Sequence, residues 1–431
     1  MEIYVVQPND TVYGIASKFN ISSRRLMQDN DLDAPNSLVP GQAIVIAPPA
    51  QTYVTVAGDT LETIAQKNNV SQMKLLQNNP ILATTPIAPD RILTIRYDTS
   101  GKISTGGYMY PYIDNNTLLK TLPNLTYNSI YNYKITVSGE IITYYDDEIV
   151  IQRSKEYGVI PLFMATTMSA QGEPDYEAVS SILSNEVYQQ SFIDNSIALI
   201  KQKGYMGLNI IFNYLTLLNI DLYIALLYNL KTDLDKENLL LFVTVNSNSQ
   251  YVSNELSFEK IDYSPLSPLI DGITFIQFVW GVNYGPPMPA NSIALLKSLV
   301  EYVTQTMQPE KLSAGASLIS YDWRLPYTPG LSYANSLSLS SALRLASDTG
   351  AVIQFDEISQ SPYFNYTIAN GEEHIVWTTD ARTINALVEL VRTYNLNGVR
   401  LWNLMFYSSP IWLVINSQFD IEKLLPSKFD V

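Results

Sequence analysis

Gly207-Leu-Asn-Ile-Ile-Phe212 is one of six apolar runs that decide the fold of this chain. The other five runs cover residues 158–164, 239–245, 272–279, 311–318 and 398–402, with helical patterns between them. Fully apolar strands that alternate with helices are typical of a parallel sheet covered on both faces. About 300 residues organised in this way predict an α/β fold of the (β/α)8 TIM-barrel type, whose site lies at the carboxyl ends of the strands.

The amino-terminal part of the chain contains an internal repeat. A shift of 49 positions superimposes Tyr4 on Tyr53 and Asp10 on Asp59. Further matches along the same shift pair Thr11 with Thr60, Ile15 with Ile64, and Asn30 with Asn79. Each copy predicts a short strand, an Asp-Thr turn that caps a helix, a second short helix and a final strand. The sequence therefore predicts two small βααβ modules ahead of the barrel.

Short polar linkers separate the predicted units. Pro48-Pro49-Ala50-Gln51 lies between the two copies, and Asp98-Thr99-Ser100-Gly101-Lys102 follows the second copy. We therefore predict the first module at residues 1–48, the second at residues 52–97 and the barrel at residues 104–431.

The composition restricts the class of ligand. The 431 residues carry a formal net charge of −15, which disfavours nucleic acid because binding there depends on Lys and Arg at the phosphates. The chain has 30 Tyr and 5 Trp, and aromatic faces stack on sugar rings, so glycans are the predicted partners. Cysteine is absent and His374 is the only histidine, so we predict neither a metal site nor a cofactor.

Targeting signals are not evident in the sequence. The amino terminus has neither the basic segment nor the apolar core of a secretory signal, so we expect synthesis inside a cell. The most apolar helical stretch, residues 215–230, is interrupted by Asn219 and Asp221. It predicts a buried amphipathic helix and no membrane span.

Both parts of the chain resemble known families. Each repeat resembles the LysM module, which binds N-acetylglucosamine polymers such as chitin and peptidoglycan in a groove beside its first helix. The remainder resembles glycoside hydrolase family 18, above all its spore cortex-lytic branch, which carries two LysM modules before the barrel. The motifs that carry this resemblance lie at residues 280–289, 320–327, 361–366, 374–382 and 398–402. The resemblance implies a spore cortex or coat protein, made in the mother-cell cytoplasm of a spore-forming bacterium.

The catalytic motif of that family is degenerate in this chain. The family has Asp-Gly-x-Asp-x-Asp-x-Glu at the end of the fourth strand, and the matching stretch here is Met206-Gly-Leu-Asn-Ile-Ile-Phe-Asn213. The resemblance places Asn209 and Ile211 at the two inner Asp positions and Asn213 at the Glu position. A second motif on the sixth strand, Met-x-Tyr-Asp/Glu-Trp, aligns with residues 276–280 and has become Phe278 and Val279 at its Tyr and carboxylate.

These replacements remove the chemistry that the family uses. In the family, the substrate's own acetamido oxygen attacks the anomeric carbon while the Glu protonates the leaving oxygen. An Asn amide at position 213 has no proton of suitable acidity. Ile211 can neither orient the acetamide nor stabilise the positive oxazolinium ion. We therefore predict that no catalytic residue is intact and that the pocket is drier than in the family, or closed.

The predicted binding residues survive better than the catalytic ones. The resemblance places Trp402 on the floor of the sugar pocket, with Trp280, Tyr321 and Asp322 around the cleft. An alternative remains open, in which these aromatic residues only fill a core or a loop base. The predicted groove residues of the two LysM modules are Asp10, Thr11, Asn30, Asp59, Thr60 and Asn79.

Other ionisable residues are weaker candidates for a replacement acid. Asp356 and Glu357 follow a strand-like run, and loop capping or a salt bridge is the preferred interpretation of Asp356. The run Asp146-Asp147-Glu148 predicts a solvated turn. We expect a structural role for His374, which closes a Gly-Glu-Glu-His turn.

Three hypotheses follow for the function. The leading one is a wall-binding protein without catalysis, in which two weak LysM sites on one chain gain affinity through avidity. The second is an active N-acetylglucosaminidase-type cortex-lytic hydrolase with a relocated acid. The third is a scaffold whose barrel contacts spore-coat proteins, because a barrel fold alone does not define a function.

Overall fold

The computed structural model describes residues 1–34, 37–169, 175–212, 215–246, 249–252, 255–276 and 285–429. Two small modules precede a large α/β barrel, and a second sheet is inserted near the end of the barrel. The predictions made for Asn213, Phe278, Val279 and Trp280 lie outside the described residues.

The two modules share one order of elements. Module 1 consists of β1 (Glu2–Val5), α1 (Val12–Lys18), α2 (Ser23–Asp29) and β2 (Ala43–Ile46). Module 2 consists of β3 (Gln51–Val54), α3 (Leu61–Asn68), α4 (Gln72–Asn78) and β4 (Ile92–Arg96). The two strands of each module pair antiparallel, and a threonine side chain caps the first helix. This is the βααβ order that the repeat predicts.

Strands and helices alternate through the rest of the chain. In sequence order they are β5 (Lys102–Met109), α5 (Asn115–Thr121), β6 (Tyr127–Ile130), β7 (Tyr133–Ile135), β8 (Ile141–Thr143), α6 (Glu148–Glu156), β9 (Ile160–Ala165), α7 (Tyr176–Ser184), α8 (Glu186–Lys203), β10 (Gly207–Phe212), α9 (Ile220–Lys236), β11 (Leu240–Asn246), β12 (Ser249–Val252), β13 (Glu255–Phe258), β14 (Gly272–Ile276), α10 (Ile293–Val303), β15 (Leu312–Ser317), β16 (Ile319–Leu325), β17 (Ala334–Ser338), α11 (Leu339–Thr349), β18 (Gln354–Asp356), β19 (Ser361–Thr367), β20 (Glu373–Trp377), α12 (Ala381–Tyr394), β21 (Gly398–Trp402), α13 (Ser409–Asn416) and β22 (Asp420–Ile421).

Eight parallel strands close into a barrel in the order β5-β6-β9-β10-β11-β14-β15-β21, and β21 returns to β5. The prediction of a TIM-type α/β barrel is confirmed. Six of these strands overlap the predicted apolar runs, whereas β5 and β6 do not. Strand β5 does not appear as an apolar run in the sequence, because the packing around it requires small and polar residues. A Cβ on Gly107, for example, would lie only 2.3 Å from Cδ1 of Leu404.

A five-stranded antiparallel sheet is inserted between β15 and α12. Its strand order is β17-β16-β20-β19-β18, and residues of α11 pack against one of its faces. Ile319, at the start of β16, contacts the cluster at the carboxyl ends of the barrel strands. This inserted sheet is not among the elements that the sequence predicts, and it adds a wall beside the barrel opening.

Helix α9 lies in the region where the sequence predicts an amphipathic helix. It begins at Ile220 rather than Leu215, and it buries Tyr223, Leu226 and Leu230 against the barrel. Throughout the described ranges, no helix combines the length and the apolarity that a bilayer crossing requires.

Both modules dock on the barrel through polar contacts and a shared hydrophobic core. In module 1, the carboxylate of Asp31 accepts a hydrogen bond from the backbone N–H of Ser409 at 2.6 Å. In module 2, the Lys74 ammonium lies 2.6 Å from the carboxylate of Asp420. Apolar residues of both modules belong to the same core cluster as the barrel. The two modules are therefore held against the barrel.

Gly41 of module 1 packs against the loop that joins α11 to β18. Its φ is +85°, and a Cβ at this position would lie 1.8 Å from the carbonyl oxygen of Ile353. Gly58 in module 2 has a similar φ of +88°, but a Cβ there would meet nothing within 4 Å. Substitution of either glycine would therefore strain the backbone, but only substitution of Gly41 would also disturb the docking of module 1.

We expect Gly41→Ala to lower the free energy of unfolding more than Gly58→Ala does. Both substitutions introduce left-handed strain of about 1–2 kcal/mol. Only the first also forces module 1 away from Ile353, which adds about 1–3 kcal/mol. Urea denaturation of the two variants measures the difference, and equal losses would contradict the docking contact.

Candidate functional site

An apolar and aromatic cluster fills the carboxyl ends of the barrel strands. The buried members of this mouth cluster are Tyr108, Tyr131, Met164, Ile211, Ile276 and Trp402. The Trp402 ring lies 5.5 Å from that of Tyr108 and 6.1 Å from that of Tyr131. The register between β21 and β5 sets Trp402 directly opposite Tyr108, so closure of the barrel assembles the centre of the cluster.

Ile211 is the residue of this cluster that the family motif concerns. Side chains alternate along a strand, so Asn209 and Ile211 share the inward face of β10. Ile211 is only 7% exposed and packs in the same cluster as Trp402 and Ile276. Ile211, which the sequence analysis predicts at a carboxylate position of the motif, is therefore a buried aliphatic side chain that can neither accept a proton nor balance a positive charge.

Asn209 lies two residues before Ile211 on β10, deeper in the barrel, and it belongs to a neutral hydrogen-bond network. Its Nδ2 donates to Oγ of Ser129 at 2.9 Å, and its Oδ1 accepts from the Thr244 hydroxyl at 3.0 Å. The Thr244 and Tyr108 hydroxyls lie 2.8 Å apart. Amide and hydroxyl groups satisfy one another along this chain, and none of its four members is a carboxylate.

Five tyrosines line a small pocket beside the mouth cluster, namely Tyr110, Tyr112, Tyr131, Tyr144 and Tyr145. The cavity measures about 20 Å³, which is room for about one water molecule. The rings of Tyr110 and Tyr112 stack at 5.2 Å, and Tyr112 and Tyr145 meet edge to face at 5.1 Å. Tyr112 is 57% exposed and Tyr145 is 48% exposed, so the outer part of this group presents aromatic surface to solvent.

Among the described residues, the groups that perturb these tyrosines electrostatically are phenols and not carboxylates. Burial raises the pKa of Tyr110, and the neighbouring Tyr112, Tyr321 and Tyr145 raise it further. Burial likewise raises the pKa of Tyr131, with Tyr110 and Tyr144 adding to the effect. The groups that perturb these phenols supply no general acid for hydrolysis near neutral pH.

Tyr321 and Asp322 occupy opposite faces of β16, because adjacent residues of a strand point in opposite directions. Tyr321 is buried beside Trp323, with the ring centres 5.8 Å apart, and it interacts electrostatically with Tyr110 at the barrel mouth. The Asp322 carboxylate contacts side chains of two other strands of the inserted sheet. Its Oδ2 accepts from the Tyr366 hydroxyl at 2.8 Å, and its Oδ1 lies 3.0 Å from Nδ1 of His374.

The structure thus brings Trp402, Tyr321, Asn209 and Ile211 to the barrel interior and mouth. Asp322 instead belongs to a cluster in which the rings of Tyr366 and His374 stack at 4.7 Å. His374 has the structural environment that the sequence predicts for it. Asp356 caps its own loop by accepting hydrogen bonds from the backbone N–H and the hydroxyl of Ser359.

The prediction of a solvated turn at residues 146–148 is wrong for Asp147. This residue is fully buried, and its carboxylate accepts hydrogen bonds from the hydroxyls of Tyr133 and Tyr205. The Lys203 ammonium lies 3.2 Å away. The sequence did not reveal this arrangement because the three partners are distant along the chain. The neighbouring Asp146 is exposed, as predicted.

Burial opposes the ionisation of Asp147, but its partners outweigh that effect. Hydrogen bonds from Tyr133 and Tyr205, together with Lys203, hold the pKa of Asp147 below its usual range. The carboxylate is therefore a charged anchor between α6, β7 and the end of α8, and not a proton donor.

In the two modules, four of the predicted groove residues form the loops that precede the first helices. Oδ2 of Asp10 accepts from the backbone N–H of Gln7 at 2.7 Å, and Oδ2 of Asp59 accepts from that of Val56 at 2.8 Å. Thr11 and Thr60 cap the helices that follow. These residues fix the shape of the loop beside the first helix.

The other two predicted groove residues lie inside their modules. Nδ2 of Asn30 donates to the carbonyls of Leu26 and Val45, and its Oδ1 accepts from the Val45 N–H at 2.7 Å. Asn79 repeats this pattern in module 2. Each amide ties the second helix to the last strand, so backbone groups occupy its hydrogen bonds.

Sequence reasoning missed the tyrosines of the barrel mouth. Tyr108-Met-Tyr-Pro-Tyr112 at the end of β5 and the pair Tyr144-Tyr145 are the signals that would have found them. In the described part of the chain, no three His, Asp or Glu side chains converge in the way that metal ligands would.

The described chain combines a (β/α)8 barrel that has an aromatic mouth with an inserted antiparallel sheet and two amino-terminal βααβ modules. Residues 164–406 match the family described as glycosyl hydrolases family 18, and residues 4–47 and 53–96 match the LysM domain. This chain therefore belongs to glycosyl hydrolase family 18 and carries two LysM domains.

Several relatives match this chain over nearly their whole length. The chain is 33% identical to the cortical fragment-lytic enzyme of Bacillus subtilis over 98% of this chain and 99% of that protein. It is 32% identical to the enzyme of the same name from Bacillus anthracis, over 98% and 99% of the two chains. Among solved structures, the spore cortex-lytic enzyme SleL of Bacillus cereus matches with a TM-score of 0.79 and 26% identity, covering 99% of each chain.

We expect Asp147→Asn to lower the free energy of unfolding by about 1–3 kcal/mol near pH 7, because it removes the buried charge that accepts hydrogen bonds from Tyr133 and Tyr205 and pairs with Lys203. Because the folded-state pKa of Asp147 is lowered, its ionised form stabilises the fold above an unfolded-state pKa of about 3.9. That contribution is lost as the pH falls through the folded-state pKa. The stability difference between wild type and variant should therefore narrow in acid.

Denaturation curves recorded from neutral to acid pH measure this difference. Asp146→Asn is the matched control, since the Asp146 side chain is 75% exposed and lies 3.9 Å from the same ammonium. The control should change stability by no more than about 0.5 kcal/mol. A loss for Asp147→Asn that does not vary with pH would show that the carboxylate charge is not what stabilises the site.

Proposed function

We propose that this chain binds N-acetylglucosamine-containing glycans of the bacterial spore cortex without hydrolysing them. Membership of family 18, together with two LysM domains, supports a glycan ligand. The names of the full-length relatives, which are cortical fragment-lytic enzymes, support the spore cortex as its source. We place the protein at the spore cortex or coat for the same reason.

The observation that carries the proposal is the packing of Ile211 against the mouth cluster. The family reaction passes through a positively charged intermediate on the sugar, and a carboxylate at this position balances that charge. An aliphatic side chain in a buried aromatic site does the opposite, because an uncompensated charge in such surroundings is costly. The neutral network around Asn209 extends the same property deeper into the barrel.

The sequence adds the loss of the acid itself. Asn213 stands where the family has its proton donor, and Phe278 and Val279 stand where it has a Tyr and a second carboxylate. General-acid assistance contributes about 10²–10⁴-fold to such reactions, so hydrolysis by the family mechanism is lost. Binding does not require these groups, because aromatic rings such as Trp402 recognise the face of a sugar.

The paired modules provide a second route to the glycan. The loops held by Asp10 and Asp59 lie beside the first helices, where LysM domains bind their ligands. Two weak sites on one chain raise the effective affinity for a polymer that spans both of them. We therefore assign retention on the cortex to the modules and a supporting surface to the exposed tyrosines of the barrel mouth.

A second candidate function is cortex-lytic hydrolysis with a relocated acid, which the names of the relatives favour. It requires a carboxyl group within hydrogen-bond reach of the glycosidic oxygen. Asp322, Asp356 and Asp147 are each committed to other partners, as described above. This weakens the second candidate relative to the first.

We expect the purified chain to bind an N-acetylglucosamine hexasaccharide and solubilised cortex fragments in calorimetry. The same mixtures should contain no shorter products, as judged by mass spectrometry, above the level of a Trp402→Ala variant. An active family 18 chitinase is the positive control for cleavage of the hexasaccharide. Loss of the acid alone predicts a rate at least about a hundredfold below that of an active enzyme.

Two results would contradict the proposal separately. Cleavage well above the Trp402→Ala level would show that an acid operates elsewhere in the cleft. Failure of the chain to bind either ligand would remove the binding function. An Asp10→Ala, Asp59→Ala variant tests the modules, because loss of both loop anchors should abolish retention on insoluble cortex.

A further inference from the structure

A large cavity lies where the two modules meet the barrel. Its volume is about 500 Å³, which is within the range of ligand-binding sites, and junctions between domains are where such sites often occur. One wall is α2 of module 1, a second is β4 of module 2, and the floor is α13 of the barrel. We call this cavity the junction cleft. It is distinct from the barrel mouth and from the loops that precede the first helix of each module.

The cleft carries more uncompensated positive than negative charge, although the whole chain has a net charge of −15. Arg25 on its wall is neutralised by Asp29, with 3.0 Å between Nε and Oδ2. Asp31 accepts hydrogen bonds from both the backbone N–H and the hydroxyl of Ser409.

Three other cations of the lining, Arg24, Arg91 and Lys120, have no ion pair among the described residues. Among the described residues, the carboxylates of the lining that have no ion pair are Asp31 and Asp90. The Lys120 ammonium lies 5.9 Å from the ring centre of Tyr407, at the edge of the floor. Three cations against two carboxylates leave one positive charge in excess, which favours an anionic ligand.

Two buried side-chain amide oxygens of the lining residues indicate that the ligand also carries hydrogen-bond donors. Asn416 is 2% exposed, and its Nδ2 donates to the Gln77 carbonyl at 3.2 Å and to Oδ1 of Asn124 at 2.7 Å. Nδ2 of Asn78 donates to the Ile95 carbonyl at 2.9 Å. Within the described residues, neither Oδ1 of Asn416 nor Oδ1 of Asn78 receives a hydrogen bond.

A buried acceptor without a donor costs about 1–3 kcal/mol. Both residues line the cleft, so a small rotation of either side-chain amide would bring its oxygen within reach of a ligand with N–H groups. A simple anion such as phosphate lacks such donors, and a neutral sugar lacks the negative charge. A peptide that bears carboxylates has both the N–H donors and the negative charge.

The remaining lining suits the small apolar side chains of a peptide. Ile81 and Ile92 are 39% and 64% exposed, although large aliphatic side chains usually avoid solvent. The buried Trp412 and Leu413 form part of the floor between them and the barrel. Apolar surface beside cations and acceptors is the combination that a short acidic peptide requires.

We propose that the junction cleft binds the carboxylate-bearing stem peptide of peptidoglycan. This proposal rests on the proposed function and deepens it, because the stem peptide is attached to the glycan that the modules bind. Cations of the cleft pair with the carboxylates of the peptide, and Asn416 and Asn78 accept from its amide N–H groups. Binding of sugar and peptide by one chain would distinguish cortex material from chitin, which has no peptide.

Calorimetry with the full chain tests this proposal, using a synthetic stem tetrapeptide that contains no sugar. The wild type should bind the tetrapeptide. An Arg24→Ala, Arg91→Ala, Lys120→Ala variant should bind it about tenfold more weakly or worse, because each charged hydrogen bond contributes substantially. Its affinity for the N-acetylglucosamine hexasaccharide should not change.

Arg96→Ala is the matched control, since this exposed cation lies on β4, the strand that forms one wall of the cleft, but does not itself line the cleft. Ile92→Trp provides an independent steric block if the triple variant is unstable, and it should also weaken tetrapeptide binding. Hexasaccharide binding without tetrapeptide binding by the wild type would overturn the cleft proposal and leave the proposed function intact. Equal tetrapeptide affinity in the wild type, the triple variant and Ile92→Trp would place the peptide elsewhere and also overturn it.

Discussion

Closure of the barrel between β21 and β5 is the contact on which both the site and the module docking depend. A Cβ on Gly398 would lie 1.7 Å from the carbonyl oxygen of Ser104, so only glycine allows the two strands to pair at that point. The resulting register sets Trp402 beside Tyr108 at the other end of the strands. The chain then continues into α13, whose residues Ser409 and Asn416 contact the two modules. One strand pairing therefore positions the mouth cluster and the surface on which the modules rest.

Along this seam, the charged side chain lies in the barrel interior and not at the mouth. The charge carried by β21 belongs to Arg400, which is buried in the barrel interior below the mouth and donates to the Ser104 carbonyl and to Asn397. Burial lowers the pKa of Arg400, and its guanidinium lies 5.1 Å from the ring centre of Tyr127. Above it, the neutral network of Asn209 and the mouth cluster carry no compensating carboxylate. If the proposed match of Ile211 to the motif holds, a cationic intermediate at the mouth would have this aliphatic side chain beside it.

The sequence predicted the architecture well because strong periodic signals determine it. The repeat of 49 residues and six apolar runs were enough for two modules and a barrel. Strand β5 was missed because the packing at the seam selects glycine and polar residues in place of an apolar run. The inserted sheet was missed because its strands follow directly after β15, so no composition change marks them.

The side-chain environments were less predictable, because they depend on residues that are distant in the sequence. Asp147 appeared to belong to a solvated acidic run, yet Tyr133, Tyr205 and Lys203 converge on it from separate elements. Asp322 was predicted at the cleft, and its position on the opposite face of β16 from Tyr321 follows only from the strand register. The sequence motif singled out Ile211 as a site residue. Its packing with Tyr108 and Tyr131 could be seen only in the folded structure.

The most direct test of the account is the affinity for a thiazoline analogue of the oxazolinium intermediate. A site that stabilises this charged species binds such an analogue about 10²-fold or more tightly than it binds the substrate. Calorimetry with the analogue and with a plain N-acetylglucosamine oligomer of equal length gives the ratio. We expect no preference for the analogue, because Ile211 and the neutral network offer it no compensating charge. A preference of about a hundredfold would contradict the account and show that the barrel retains a catalytic site.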